Sequence, residues 1–372
     1  MYALLRPALF ALSPHTAHAL GMAALAPVEH LAPLRAMTRA LCATNDARLQ
    51  VRTMGLTFPS PLGIAGGFDK NAMRARALAA LGFGHVELGT VTAQAQEANP
   101  LPNLFRLEDD RALVNRLGFP NEGATAVCAR IASRRLRSTC GVPVGVSIGK
   151  SRAIPLDPIE HAIADYASSF REARRVADFV VVNVSSPNTK DLRAMQGAEI
   201  ARRLLTELSH INDGAAAQSL AVGTSTAPRV PLLVKIAPDL SDADIEALLA
   251  VVEETKLDGV IATNTTIARG GLRTPAARIE AIGAGGLSGP PLRARALDVV
   301  ARVRARLGQR VTVIGVGGVE SADDVIALVR AGADLVQMYT GFVYGGPLVA
   351  RRIARDLSRS LDAARATSLT AL

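Results

Sequence analysis

Several features are scarce in this sequence, and each scarcity limits what the protein can be. Aromatic residues make up only 3% of the chain and no basic run carries interleaved aromatics, so nucleic-acid binding is poorly supported. The three cysteines, Cys42, Cys128 and Cys140, are scattered without a CxxC pair; they give neither a disulfide framework nor a zinc site and fit a reducing compartment. No HExxH motif and no acidic calcium loop occurs, so no metal is implied.

Charged residues are missing from positions 7–28, a length that by itself would suit a membrane span. Ser13 and His18 interrupt this stretch, however, and polar groups are costly in hydrocarbon. Ala17-His18-Ala19 resembles a signal-peptide cleavage site, but the apolar core before it, residues 8–12, is shorter than such peptides use. We therefore expect neither a span nor a signal peptide here.

Short helices explain the N-terminal segment better. Ser13-Pro14 is typical of an N-cap followed by proline at the first helical position, and Pro27 predicts the end of that helix. A further helix is expected near residues 28–41. The apolar faces of these helices need cover, which the rest of the protein or a membrane surface could supply.

The composition of the whole chain predicts a large core. Hydrophobic residues make up 49% and charged residues 20% of the 372 positions, so disorder is not expected. The net charge of +9 could serve an anionic membrane surface or an anionic substrate, or reflect a general arginine-rich bias. Residues 208–229 are rich in Ala, Ser, Thr and Gly and predict a mobile surface loop.

Eight short apolar runs alternate with helical patterns, which predicts βαβ units and a parallel sheet. Eight such units close a barrel, so the expected fold is α/β, a (β/α)8 TIM barrel with an N-terminal helical extension. The expected strands lie at residues 62–65, 85–88, 144–148, 179–184, 232–236, 259–262, 311–315 and 335–338. The clearest helices are expected at residues 72–81, 157–175, 242–254, 292–307 and 322–330, with a small hairpin from residues 49–51 and 56–58.

Polar residues follow nearly every expected strand, at the end where a TIM barrel keeps its chemistry. The fullest example is Val180-Val181-Val182-Asn183-Val184-Ser185-Ser186-Pro187-Asn188-Thr189, a β-branched run that ends in hydroxyl and amide side chains. Alone, this stretch is equally well explained as a Ser/Asn/Pro turn. The recurrence of polar residues at other strand ends favours a shared site.

Glycine and lysine supply the remaining candidates. Residues 283–289 and 315–318 are glycine-rich and could hold a phosphate, although ordinary tight loops are an alternative, and Ser321 is a plausible N-cap for the next helix. Lys235 lies in an apolar strand, where a charge needs a partner, and Lys70 lies in a glycine loop. Each lysine could form a structural ion pair, neutralise a reduced flavin or a substrate carboxylate, or act as a Schiff-base lysine.

Together these motifs resemble class 2 dihydroorotate dehydrogenase, from the N-terminal helices to about residue 350. The matching motifs are Gly66-Gly67-Phe68-Asp69-Lys70, Asn115-Arg116-Leu117-Gly118-Phe119, Asn183-Val184-Ser185-Ser186-Pro187-Asn188-Thr189, Lys235-Ile236-Ala237-Pro238-Asp239, Ala262-Thr263-Asn264-Thr265-Thr266, Gly285-Gly286-Leu287-Ser288-Gly289-Pro290-Pro291 and Ile314-Gly315-Val316-Gly317-Gly318. The joint pattern is specific, whereas no single piece is.

The resemblance implies an enzyme that oxidises dihydroorotate to orotate in pyrimidine synthesis, with one FMN per chain, and passes the electrons to a membrane quinone. It implies that Ser186 removes the C5 proton while hydride leaves C6 for the flavin. Implied substrate contacts come from Lys70, Asn115, Arg116, Leu117, Gly118, Phe119, Asn183, Asn188, Asn264 and Thr265. Implied FMN contacts come from Gly66, Gly67, Phe68, Asp69, Lys70, Thr90, Ser147, Asn183, Lys235, Thr263, Gly289, Gly318, Tyr339 and Thr340.

The likeness is to class 2 because Ser186 stands where class 1 members have a cysteine base, and because an N-terminal extension is present. It implies quinone contacts from His18, Arg106 and Tyr339, and a monomer attached peripherally to the cytoplasmic side of the cell membrane. The implied segments are residues 1–45 for membrane contact and quinone access, 46–360 for the FMN-binding barrel and 361–372 as a C-terminal tail. Ser147 departs from the family's usual Asn, so one contact is lost or bridged by water.

Two alternatives stay open at this point. A lyase or aldolase could use Lys235 or Lys70 as a Schiff base and would need no flavin. A non-catalytic barrel could simply dock its N-terminal helices on membranes.

Overall fold

Eight parallel strands form a closed barrel at the centre of the protein, as the alternating sequence pattern predicts. The computed structural model describes residues 2–188, 192–221 and 229–372, so Thr189 of the Asn183–Thr189 motif lies outside the described residues. The strands are β1 (Val51–Thr53), β2 (Leu56–Phe58), β3 (Leu62–Ile64), β4 (Val86–Val91), β5 (Leu104–Leu107), β6 (Ala112–Asn115), β7 (Val144–Ile148), β8 (Phe179–Asn183), β9 (Leu232–Ile236), β10 (Gly259–Ala262), β11 (Gly286–Ser288), β12 (Thr312–Val316) and β13 (Leu335–Met338).

Helices cover the outside of the barrel and precede it. They are α1 (Tyr2–Ala11), α2 (Pro14–Ala24), α3 (Ala26–His30), α4 (Ala32–Cys42), α5 (Ala75–Ala80), α6 (Ala124–Ser133), α7 (Leu136–Thr139), α8 (Ile159–Ala173), α9 (Ala198–Ala221), α10 (Asp242–Glu254), α11 (Ala276–Ile282), α12 (Arg293–Leu307), α13 (Ala322–Arg330), α14 (Thr340–Gly345) and α15 (Val349–Ala364). The expected cap is confirmed at Ser321, whose hydroxyl accepts the backbone N–H of Asp324.

The barrel consists of β3, β4, β7, β8, β9, β10, β12 and β13 in that order, with β13 closing onto β3. Side chains alternate between the two faces of each strand, so every second residue points inward. Seven fully buried inward residues form the floor: Phe58, Phe179, Val181, Leu233, Ile261, Ile314 and Leu335. Phe58 belongs to the antiparallel hairpin β1–β2, which therefore seals the amino-terminal end of the barrel.

The N-terminal segment contains four helices. The prediction of a single helix over residues 28–41 was wrong. Leu31 is extended and separates α3 from α4. Pro33, in the first turn of α4, has no N–H to donate to a preceding carbonyl, which favours a break in the helix before it. Pro27 lies in the first turn of α3 rather than at the end of a helix.

The extension is fixed to the barrel by hydrogen bonds and an ion pair. The buried Glu29 carboxylate accepts the Arg76 Nε–H at 2.9 Å and the Ala77 backbone N–H at 3.0 Å. Arg106 donates to the carbonyl oxygens of Phe10 and Leu12 at 3.0 and 2.8 Å. Apolar side chains nevertheless remain exposed on this segment: Leu4, Leu5, Leu12, Leu20, Leu31, Met37 and Leu41. None of the helices within the described ranges is long and apolar enough to cross a bilayer.

The loop expected at residues 208–229 was largely wrong, because α9 continues to Ala221. The Ala-rich composition favours helix rather than loop. The Asn212 side chain also exchanges two hydrogen bonds with the backbone of Val230, at 2.7 and 3.1 Å, which fixes the helix against the start of the next strand. Residues 222–228 lie outside the described part of the chain.

A second, antiparallel sheet of β5, β6 and β11 lies over the barrel and was missed by the sequence analysis. The sequence pattern that could have predicted this sheet is a pair of apolar runs, residues 104–107 and 112–115, separated by a short charged turn. β11 lies in the first glycine-rich segment, where Gly286 pairs with Asn115, so part of that expected loop is a strand.

His85, on the interior side of the barrel floor, generates a prediction on stability. It is fully buried between the rings of Phe58 and Phe179, and neither ring nitrogen has a hydrogen-bond partner among the residues described. Burial lowers the pKa of His85 to about 3.

Below pH 6.5 the unfolded chain therefore binds a proton that the folded chain does not, and stability falls as the pH falls towards 3. This single group should cost about 2 kcal/mol between pH 7 and pH 5. We expect His85→Met to flatten the pH dependence of the urea midpoint over that range, with His161→Met, an exposed histidine, as control. An equal slope in wild type and His85→Met would contradict this assignment.

Candidate active site

A cavity of about 890 Å³ opens at the carboxyl ends of the barrel strands, beneath the second sheet. Most of the residues that the sequence nominated line it: Gly66, Gly67, Lys70, Thr90, Asn115, Leu117, Gly118, Phe119, Asn183, Ser186, Asn188, Lys235, Thr263, Asn264, Thr265 and Tyr339. They come together because parallel strands in a closed barrel all end on the same side. The polar strand ends therefore do share one site.

Amide and hydroxyl groups on one wall of this cavity form a connected network. Asn264 Nδ2 donates to Asn183 Oδ1 at 3.3 Å and to Ser185 Oγ at 2.8 Å. Asn183 Nδ2 in turn donates to Thr90 Oγ1 at 3.1 Å, and the Thr90 hydroxyl lies 3.0 Å from that of Ser147. These bonds hold the amides in fixed orientations, as a flat polar ligand requires.

A second amide pair connects the barrel to the covering sheet. Asn188 Nδ2 donates to Asn115 Oδ1 at 3.0 Å, and Asn115 Nδ2 donates to the Gly286 carbonyl at 3.3 Å. Asn115 is the last residue of β6, which explains how a residue outside the barrel reaches the cavity. The covering sheet thus provides the roof of the site.

Ser186 lies at the cavity wall immediately beyond β8, with only 5% of its surface exposed. Its Oγ accepts the backbone N–H of Asn188 at 3.2 Å. A hydrogen bond donated to the oxygen favours the form with more negative charge, and so helps a serine that must give up its proton.

Lys70 and Asp69 have different surroundings although they are adjacent. Burial lowers the pKa of Lys70 to about 8, opposed by the charge of Asp69, and its Nζ donates to the Gly67 carbonyl at 2.7 Å. Burial raises the pKa of Asp69, opposed by backbone N–H groups of Arg74 and Met73 that bind the carboxylate. Lys70 thus lines the cavity, while Asp69 fixes the backbone of the loop that follows it.

Seven residues nominated for substrate or FMN lie outside the cavity lining: Phe68, Asp69, Ser147, Arg116, Gly289, Gly318 and Thr340. Ser147 and Thr340 each contact a residue that lines the cavity. The Ser147 hydroxyl contacts that of Thr90, and the Thr340 hydroxyl lies 2.7 Å from that of Ser288. The Arg116 guanidinium points away, to the carbonyl oxygens of Ile282 and Ala284. Phe68 and Asp69 line a neighbouring cavity of about 730 Å³.

A separate apolar cavity of about 1170 Å³ lies between the N-terminal helices and the barrel. His18, Arg106 and Tyr339 all line it, as nominated, together with apolar residues of α1 and α2. Burial, followed by the charges of Lys70 and His15, lowers the pKa of His18 to about 4, and burial raises that of Tyr339 to about 12. At neutral pH both side chains are uncharged, which suits an apolar ligand.

Tyr339 and Leu113 line both this cavity and the one at the strand ends. The two spaces therefore adjoin at these two side chains. The strand-end cavity contains the amide and hydroxyl groups, whereas most of the lining of the helix cavity is apolar. Such a pair suits two ligands of different polarity.

Comparison with known proteins identifies the family of this chain. The protein-family model for dihydroorotate dehydrogenase matches residues 48–361. This chain belongs to the dihydroorotate dehydrogenase family. It is 47% identical over 369 residues to "Dihydroorotate dehydrogenase (quinone)" of Rhodococcus opacus, covering 99% of this chain and 97% of the relative. The corresponding protein of Thermobifida fusca is 49% identical over 342 residues, covering 92% of this chain and 87% of the relative.

Solved structures of the dihydroorotate dehydrogenase family share the fold. DHODH from Eimeria tenella in complex with ferulenol superimposes with a TM-score of 0.83 at 34% identity, covering 96% of this chain and 94% of that chain. The ligand-free form from the same organism gives a TM-score of 0.79 at 35% identity, with 90% and 96% coverage. The quinone-type relatives match the N-terminal extension as well as the barrel, so this chain is of the quinone-dependent type.

Sequence reasoning missed several residues of this dihydroorotate dehydrogenase site. Ala65, Leu113, Ser288, Leu292 and Val316 also line the strand-end cavity. Four of them are small or apolar and carry no chemical signal. Ser288 has a hydroxyl, but it lies in a glycine-rich segment whose backbone alone was considered. Glu87 was also missed, although the alternation in His85-Val86-Glu87-Leu88 places two polar residues on the interior face of a buried strand.

Proposed function

We propose that this chain oxidises dihydroorotate to orotate with a bound FMN in the strand-end cavity, and reduces a quinone in the apolar cavity. The observation that carries the proposal is the pair of cavities separated by Tyr339 and Leu113. The first has the amide, hydroxyl and lysine groups that a pyrimidine carboxylate needs. The second has the apolar lining that a quinone needs.

The strand-end cavity fits FMN by its chemistry. Gly66 and Gly67 leave bare backbone at its wall, Ala65, Leu292 and Val316 supply apolar surface, and Lys235 with Thr263 supplies polar groups. An apolar face and one polar edge suit a flat heteroaromatic ring. We assign ring contacts to Thr90, Lys235 and Thr263, with Ser147 acting through Thr90. We assign the phosphate to the backbone around Gly289, Gly318, Tyr339 and Thr340. When bound, FMN accepts hydride from dihydroorotate and delivers electrons to the quinone.

The residues around the substrate bind it and cover it. Lys70 neutralises the substrate carboxylate, and Asn115, Asn183, Asn188, Asn264 and Thr265 hold the ring by amide and hydroxyl hydrogen bonds. Leu117, Gly118 and Phe119, which follow Asn115, form a loop over the substrate. Arg116 supports that loop through the Ile282 and Ala284 carbonyl groups.

Ser186 takes the C5 proton. Its hydroxyl has no carboxylate or imidazole partner in the described residues, so its own proton must pass to water before Oγ takes the C5 proton. The hydrogen bond from the Asn188 N–H assists that loss by stabilising the oxygen once it is deprotonated. Base catalysis by such a weak acid strengthens with rising pH.

The Schiff-base alternative is disfavoured by the surroundings of Lys235. Its Nζ lies 3.9 Å from Glu87 Oε1, and an ammonium held in an ion pair is not a nucleophile. The family relationship likewise favours the dehydrogenase over a lyase or a non-catalytic barrel.

The N-terminal segment, residues 1–45, provides access for the quinone and contact with the membrane. Exposed leucines on α1, α2 and α4 suit insertion at a lipid surface, and the +9 charge suits an anionic one. We propose a monomer attached peripherally to the cytoplasmic side of the cell membrane, with residues 46–360 as the FMN-binding barrel and residues 361–372 as a tail.

Ser186→Ala should separate proton removal from binding. The purified wild type should be yellow, and anaerobic dihydroorotate should bleach its flavin absorbance. The alanine variant should keep FMN and bind dihydroorotate, but flavin bleaching at neutral pH should be about 10²–10⁴ times slower in stopped flow.

Ser185→Ala is the matched comparison, because Ser185 orients Asn264 without reaching the cavity wall. It should weaken dihydroorotate binding more than it slows bleaching. A colourless wild type that does not take up FMN would contradict the proposed function, and unchanged bleaching in Ser186→Ala would contradict the assigned base.

His18→Ala tests the quinone cavity. Because His18 lines the apolar cavity and not the strand-end cavity, we expect a higher KM for a short-chain quinone and unchanged turnover with a soluble dye acceptor. His30→Ala, on the exposed face of α3, is the control and should change neither. Equal losses with quinone and dye in His18→Ala would overturn the assignment.

A further inference from the structure

Three buried polar side chains form a layer between the apolar barrel floor and the strand-end cavity. Glu87 on β4, Lys235 on β9 and Gln337 on β13 come from three different strands, and their exposed fractions are 1%, 5% and 0%. All three point inward, in the same alternation as the floor residues. Only Lys235 reaches the cavity, so the other two act from beneath it.

Glu87 contacts the other two residues of this layer through different carboxylate oxygens. Gln337 Nε2 donates to Glu87 Oε2 at 2.8 Å, which leaves Oε1 facing Lys235 Nζ at 3.9 Å. Within the described ranges, Glu87 Oε1 has no hydrogen-bond partner. One carboxylate oxygen is thus anchored by an amide, and the other is left for the ammonium.

The lack of a side chain at Gly66 leaves room for the Glu87 carboxylate. A Cβ atom on Gly66 would lie 2.2 Å from Glu87 Oε1, so the oxygen occupies the place where any other residue would put its side chain. Gly66 is also a wall residue of the cavity. The glycine loop at the end of β3 therefore lets the carboxylate approach the base of the cavity.

A charged pair at this depth needs a reason, because burying two ions costs more than an apolar pair of the same size in most cases. The floor directly below is made of Phe, Val, Leu and Ile, which shows that this barrel can fill its interior without charges. The charged layer lies only at the level of the cavity. Its location points to a role in the cavity rather than in packing.

We propose that Glu87, anchored by Gln337, is a positioning residue that holds the Lys235 ammonium at the base of the cavity and thereby sets the reduction potential of the bound flavin. This inference rests on the proposed function. Two-electron reduction adds negative charge to the flavin ring, and a nearby ammonium stabilises that charge. Without Glu87, the ammonium would be an unpaired ion above an apolar floor, which favours its uncharged form and so removes positive charge from beneath the ring.

The experiment compares the flavin midpoint potentials of FMN-loaded wild type, Glu87→Gln, Lys235→Gln and the double variant. We expect Glu87→Gln to lower the potential in the same direction as Lys235→Gln, by at least tenfold in the two-electron equilibrium constant, or about 30 mV. Because Glu87 acts through Lys235, the double variant should be no lower than Lys235→Gln alone. Gln337→Met keeps both charges but removes the hydrogen bond to Glu87, so it should lower the midpoint potential by a smaller amount. This variant tests the proposal even if Glu87→Gln does not hold FMN.

His85→Met is the matched control, since the buried His85 lies two residues before Glu87, immediately ahead of β4, and outside the cavity lining. It should change stability and leave the potential unchanged. The inference is overturned if a variant that holds FMN shows an unchanged or raised potential, or if the shifts of Glu87→Gln and Lys235→Gln simply add. A wild type without FMN would instead contradict the proposed function itself.

Discussion

Closure of the barrel is the constraint on which the rest of this protein depends. β13 pairs with β3, so no strand edge is left open, and all eight strands run in the same direction. Interior side chains cannot reach solvent through the walls, and the hairpin β1–β2 blocks the floor. Polar groups inside the barrel therefore have only one open direction, towards the carboxyl ends, and that is where the amides, the hydroxyls and Lys235 lie.

The covering elements convert this open end into two spaces with different chemistry. The antiparallel sheet of β5, β6 and β11 roofs the polar cavity and carries Asn115 into it. The N-terminal helices enclose the apolar cavity and are fixed by Arg106, which comes from the same sheet. Tyr339, the residue after β13, stands between the two spaces. A single strand end thus divides a polar space from an apolar one, which is the arrangement that the proposed function requires.

The sequence allowed much of this arrangement to be predicted, because the period of a buried parallel strand and the polarity at its end are local signals. Ser186, Asn183 and Lys235 could be nominated in that way. Glu87 was not nominated: its place on the interior face of β4 is visible in the sequence, but its contacts with Lys235 and Gln337, more than one hundred residues away, are not. The sheet that roofs the site was missed because its strands are short, and α9 was mistaken for a loop because small residues are typical of both. Arg116 was nominated with its motif, but its direction depends on carbonyl groups of α11 and the segment after it.

The central claim is that substrate and quinone occupy separate, adjacent cavities, and one binding measurement tests it directly. Orotate is titrated into the oxidised, FMN-loaded protein while flavin absorbance is followed, with and without a saturating short-chain quinone. Two cavities divided by Tyr339 and Leu113 predict the same orotate Kd in both titrations. An orotate Kd that rises in proportion to the quinone concentration would show that both ligands compete for one space, and would contradict the account.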